Sequence, residues 1–66
     1  MAKISGSKFK QAREKADVSR NELSRVAMMS YTRIFQIETE EVSHVNDLAV
    51  SAMAKKMKVK PEDLAA

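Results

Sequence analysis

The chain has 66 residues, with 12 Lys and Arg against 9 Asp and Glu, a net charge of +3 and no cysteine. One small domain is all this length allows, with about 60% of the unfolded surface buried and little room for a substrate pocket. The missing cysteines exclude disulfides and thiolate metal sites, and a single Gly and a single Pro favour helices over disorder.

Residues 1–6 read as a basic, loosely ordered tail. The first helix is expected to start near Ser7, with Phe9, Ala12 and Ala16 as its apolar stripe. Asp17 and Val18 end it. Lys3, Lys8, Lys10, Arg13, Lys15 and Arg20 outnumber Glu14 and Asp17 in this third of the chain. That excess suits a surface facing phosphates, though an ordinary solvated surface would carry the same charge.

The second helix has the clearest start signal. Ser19-Arg20-Asn21-Glu22 is a capping box, in which the Ser19 hydroxyl and the Glu22 carboxylate each satisfy an amide of the other residue. Leu23, Val26 and Ala27 then form the inward face, and the helix stops near Met28.

Ser30 is a good N-cap for a third helix. Ile34 and Ile37 share an inward phase, which turns Tyr31, Thr32, Phe35 and Gln36 outward. A phenol, a hydroxyl, a phenyl ring and an amide are not the lysines and glutamates of an ordinary solvated face. Phe35 as a core residue is the plainer alternative, since a small domain can wrap a bulky ring.

Residues 39–44, TEEVSH, read as a connecting loop. A fourth helix follows with Asn46 as N-cap, and LAVSAMA should make it the buried centre. Pro61 opens a short fifth helix, with Leu64 turned inward. The methionines are most simply core filler. The sequence therefore predicts an all-α domain, 1–66, of five short helices.

No apolar segment suggests a signal peptide or a membrane span, so a cytoplasmic protein is expected. His44 has no second histidine or cysteine with which to hold a metal. Glu40 and Glu41 have no pocket-forming sequence around them, and Gly6 stands alone rather than in a phosphate-binding loop. The chain is expected to be a non-enzyme with no cofactor, no metal and no small-molecule ligand.

Two capped helices joined by a tight turn at 19–38, the second with two inward isoleucines, resemble the lambda-repressor-like helix-turn-helix family of Cro and CI type. The resemblance covers about residues 7–65. It implies five helices, with Leu23, Met29, Ile34 and Ile37 at apolar inward positions. Ala54, Met57, Val59 and Leu64 resemble its closing elements. Phage repressors of this type pair an arginine of helix 1 with a glutamate ending helix 3, and Arg13 and Glu38 stand at those places.

The resemblance further implies a transcriptional regulator of phage or prophage type, binding double-stranded DNA with helix 3 in the major groove. Tyr31, Thr32, Phe35 and Gln36 become the base-contacting residues, with Gln36 suited to adenine N6 and N7. Ser19, Arg20, Ser30, Arg33, Arg13 and Thr39 become phosphate contacts. A homodimer on a near-palindromic operator is implied, through the loop after helix 3 and the C-terminal helices. With so little surface, pairing could be confined to DNA.

The chain departs from the family at three places. Met28 stands where glycine is usual and must adopt a positive φ, at about 1 kcal/mol. Ser24 replaces a small apolar residue. The loop after helix 3 carries Glu40 and Glu41 where basic residues usually grip the DNA backbone. That loop, or the Tyr31–Phe35 face, leaves open a protein-interaction module on the same fold, such as an antagonist of another regulator.

Overall fold

A computed structural model describes residues 1–66 as β1 (Ala2–Ser5), α1 (Gly6–Lys15), α2 (Arg20–Ala27), α3 (Tyr31–Thr39), β2 (Val42–Val45), α4 (Asp47–Met57) and a closing 3-10 turn (Pro61–Leu64). Side-chain caps mark the start of each of the four α-helices. Ser5 accepts from the Lys8 amide, Ser19 from Glu22, Ser30 from Arg33 and Asn46 from Ala49. Each cap satisfies one of the orphan amides of a first helical turn. The Ser19–Glu22 capping box is complete in both directions.

The architecture differs from an all-α five-helix domain in three respects. Residues 2–5 are a strand rather than a loose tail, and the expected loop contributes a second strand. β1 and β2 pair antiparallel with Ala2 opposite Val45, Lys3 opposite His44, Ile4 opposite Ser43 and Ser5 opposite Val42. The pairing buries Ile4, Ser43 and Val45 and leaves Val42 and His44 exposed, the period-2 alternation of a half-covered sheet. The segment after Pro61 is too short for a stable α-helix and winds as one 3-10 turn. Four helices, a two-stranded sheet and that turn thus enclose the core. No helix is long and apolar enough to cross a membrane.

Strand β1 also ties down the end of the chain. Ile4 forms a bridge with Ala65, the Ala66 amide donates to the Lys3 carbonyl at 3.0 Å, and Lys8 Nζ donates to the Ala65 carbonyl at 3.0 Å. Helix α1 therefore begins one residue before Ser7, at Gly6, and its entry is set by the strand.

The core is one cluster that includes Ile4, Phe9, Leu23, Ile34, Ile37, Val50, Met53 and Leu64. Two expected core positions lie elsewhere. Val26 is 39% exposed, because α2 turns Leu23 inward and carries Val26 to its rim. Leu48, in the first turn of α4, is 86% exposed, while Ala49, Val50, Met53, Ala54 and Met57 form the buried stripe. Met29 and Val59 are half-buried against the cluster. Met28 caps α2 in the left-handed region at φ 56°, and Asp17 and Lys58 adopt the same region at φ 57° and 61°.

Candidate nucleic-acid interface

Helix α3 is held against α1 and α2 by Ile34, Ile37 and Glu38, all buried. The outward side, which begins at Tyr31 next to Glu38, carries Tyr31, Thr32, Phe35, Gln36 and Thr39, all exposed, and none of them is charged. Tyr31 is 47% exposed and Phe35 46%, so neither ring belongs to the core. The face has two stripes at helical spacing, Tyr31–Phe35 and Thr32–Gln36.

Glu38 lies on the inward side beside Ile37, and its side chain is 1% exposed. A buried carboxylate requires compensating donors. Arg13 Nε of α1 donates to Oε2, and Arg20 Nε of α2 donates to Oε1 at 2.9 Å. Arg13 is anchored again by donating to the Val18 carbonyl at 3.1 Å. One carboxylate thus joins the three helices that frame the outward face.

Arg20 does more than pair with Glu38. It donates from Nη1 to the Tyr31 hydroxyl at 3.2 Å, and its guanidinium carbon lies 5.3 Å from the centre of the Phe35 ring. That is within cation–π range. Its pKa is raised above the ordinary value, first by the hydrogen bond to Tyr31 and then by that to Glu38. The guanidinium is charged at any relevant pH.

The remaining phosphate candidates fall into two groups. Ser19 and Ser30 use their hydroxyl oxygens to accept helix amides, which leaves each O–H proton for an outside acceptor. Thr39 donates its hydroxyl proton back to the Phe35 carbonyl at 3.1 Å, with the Gln36 carbonyl at 3.2 Å. Arg33 donates to the His44 carbonyl at 3.0 Å and so links α3 to β2.

The acidic loop is partly neutralised. Glu40 accepts from the Ser43 hydroxyl at 2.9 Å and lies 3.9 Å from Arg33 Nη1. Glu41 is exposed, and its carbonyl accepts from the Gly6 amide at 3.1 Å. Glu22 closes the α2 cap and lies 3.5 Å from Lys56 of α4. Its pKa is lowered, chiefly by the Ser19 amide and next by the Ser19 hydroxyl.

Sequence reasoning found the outward face of α3 and the positions of Arg13 and Glu38, but not the second arginine on Glu38. A partial signal was available. Glu38 shares the inward phase of Ile34 and Ile37, and a carboxylate in that phase calls for cations. Which cations answer depends on how the helices pack.

A family model described as helix-turn-helix matches residues 9–64. No curated protein matches the chain.

Proposed function

The chain belongs to the Cro/CI-type helix-turn-helix family of DNA-binding transcription regulators, and from that premise we propose that it reads an operator with α3 in the major groove. The observation that carries this reading is the uncharged outward face of α3, flanked by capped helix starts at Ser19 and Ser30. Thr32 and Gln36 are free to meet base edges, with Gln36 matched to adenine N6 and N7. Tyr31 and Phe35 add a hydroxyl and an apolar surface for thymine methyls. Ser19 and Ser30 offer hydroxyl protons to phosphates, and the first-turn amides of α2 add the favourable end of the helix dipole. Arg20, Arg13 and Arg33 contribute the N–H groups left over from their internal bonds. Thr39 joins them only by giving up its bond to α3.

The regulator is a repressor of phage type in this reading, and acts as a homodimer on a near-palindromic site. Val42 on β2 and Leu48 on α4 are large apolar side chains exposed after α3. They suit the contact between two copies. Because the surface is small, pairing on DNA is expected even where the free chain is monomeric.

Selection from a random duplex library at low salt tests this. A two-fold symmetric motif, with half-sites about one helical turn apart, is the expected result. Binding should also weaken steeply as salt rises. The second reading, a protein-interaction module, draws on Glu41, an exposed acid where phosphates would have to pass. It would be favoured by absence of any enriched sequence.

A further inference from the structure

Tyr31, Phe35 and Glu38 follow one another along α3 at spacings of four and three residues, so they form a single stripe over two turns. Arg20, the first residue of α2, lies along that stripe and touches all three. Its Nε bonds Glu38 at 2.9 Å, its Nη1 bonds Tyr31 at 3.2 Å, and its guanidinium carbon lies over the Phe35 ring, 5.3 Å from the centre. The side chain is 27% exposed and the Glu38 side chain 1% exposed. One end of the contact is therefore fixed in the interior and the other reaches the outward face. A guanidinium has five N–H groups, and two are committed here. The others remain for a phosphate.

We infer that Arg20 is a specificity-determining residue, which sets the positions of Tyr31 and Phe35 on the reading face rather than serving only as a phosphate contact. The assignment rests on the DNA-reading function proposed above. A tyrosine and a phenylalanine on a helix surface ordinarily sample several rotamers. Arg20 holds one by a directional bond and the other by a cation–π contact. Lysine cannot reproduce this arrangement, because an ammonium has no planar fork to span Glu38 and Tyr31 while lying over Phe35. Thr32 and Gln36, on the neighbouring stripe, share no hydrogen bond with Arg20, so their base pairs should not respond to it.

The test compares base preferences of the wild type with those of Arg20→Lys, Arg20→Ala and Tyr31→Phe, by sequencing bound duplexes and titrating salt. Circular dichroism checks folding. Tyr31→Phe removes only an exposed hydroxyl and so leaves the core intact. The base pairs governed by the aromatic stripe are those whose preference changes in Tyr31→Ala and Phe35→Ala. Arg20→Lys is expected to keep the salt slope while losing about tenfold discrimination at those pairs alone. Tyr31→Phe should lose part of the same discrimination. If Arg20→Lys keeps every preference and Arg20→Ala weakens all duplexes alike, flattening the salt slope by about one unit, the residue is a plain phosphate contact and the inference is overturned. A wild type with no sequence preference overturns the inference together with the reading beneath it, an outcome distinct from the former.

Discussion

Gly6 and Glu40 meet backbone to backbone. A Cβ on Gly6 would overlap the Glu40 carbonyl oxygen, and would lie 2.7 Å from the carbonyl of Ile37 and 3.0 Å from that of Glu38. The only glycine of the chain thus stands where α1 begins against the carbonyl end of α3. All three obstacles are main-chain atoms, which cannot swing aside as a side chain would. The contact also positions the Gly6 amide to donate to the Glu41 carbonyl at 3.1 Å.

Gly6→Ala is therefore expected to destabilise the fold by about 3 kcal/mol, the upper end of the usual cost of overpacking. A domain of this size has only about 3–10 kcal/mol in total. Urea unfolding followed by circular dichroism would show it, and a loss under about 1 kcal/mol would mean that α1 and α3 separate easily.

Glu38→Ala removes the carboxylate that Arg13 and Arg20 share. Two arginines would lose their partner, one of them with a side chain only 13% exposed. The expected loss is about 3 kcal/mol. Replacing the interior pair by apolar residues, Glu38→Leu with Arg13→Met, should recover much of it, because no uncompensated interior charge is then left between those two positions. Equal losses in both variants would contradict this account.

Gln36→Ala touches no internal hydrogen bond of the Gln36 side chain. It should leave stability unchanged and cost about 1–3 kcal/mol on the selected site, with relaxed preference at one base pair. Equal weakening on selected and random duplexes would show that α3 does not read bases through this stripe.

Acid should weaken the start of α2. The Glu22 carboxyl titrates below its ordinary value of 4.5, first because the Ser19 amide donates to it. A lowered folded-state pKa means stability that is present above the ordinary value and lost as pH falls through the folded one. Glu22→Gln keeps the capping geometry without the charge. The stability difference between wild type and Glu22→Gln should favour wild type at neutral pH and shrink as pH falls below the ordinary value of 4.5. A difference that stays constant with pH would leave the charge without a role.

Met28 is 93% exposed and holds a left-handed conformation at φ 56°. Met28→Gly relieves that cost and loses almost no packing, but gives the unfolded chain more freedom. A net gain of up to about 1 kcal/mol is expected, or a Tm rise of about 4–8 °C per kcal/mol in a chain of this size. A lower Tm would mean that the Met28 side chain contributes to stability in spite of its exposure.

Signals within one turn of helix were legible. Ser19, Ser30 and Asn46 bond amides three residues ahead, and the phase of Ile34 and Ile37 follows from helical periodicity. The same local rules turned Tyr31, Thr32, Phe35 and Gln36 outward before any neighbour was considered. Leu48 and Val26 were misplaced because an apolar residue at the margin of a stripe faces the core or water according to what packs beside it. The strands were missed for a different reason. Four residues on each side, AKIS and VSHV, are too short to declare a period, and neither forms a strand alone.

Capping and periodicity act between residues three or four apart, so the helices that frame α3 and the chemistry of its outward face are local properties of the chain. The pairing of the tail with β2, the contact of Gly6 with α3, and the reach of Arg20 to Glu38, Tyr31 and Phe35 come instead from packing. Those partners lie 11 or more residues apart in the chain. Contacts over such separations arise when helices pack and bury their apolar stripes, and the positions of the charged and aromatic side chains at the margins follow from that packing.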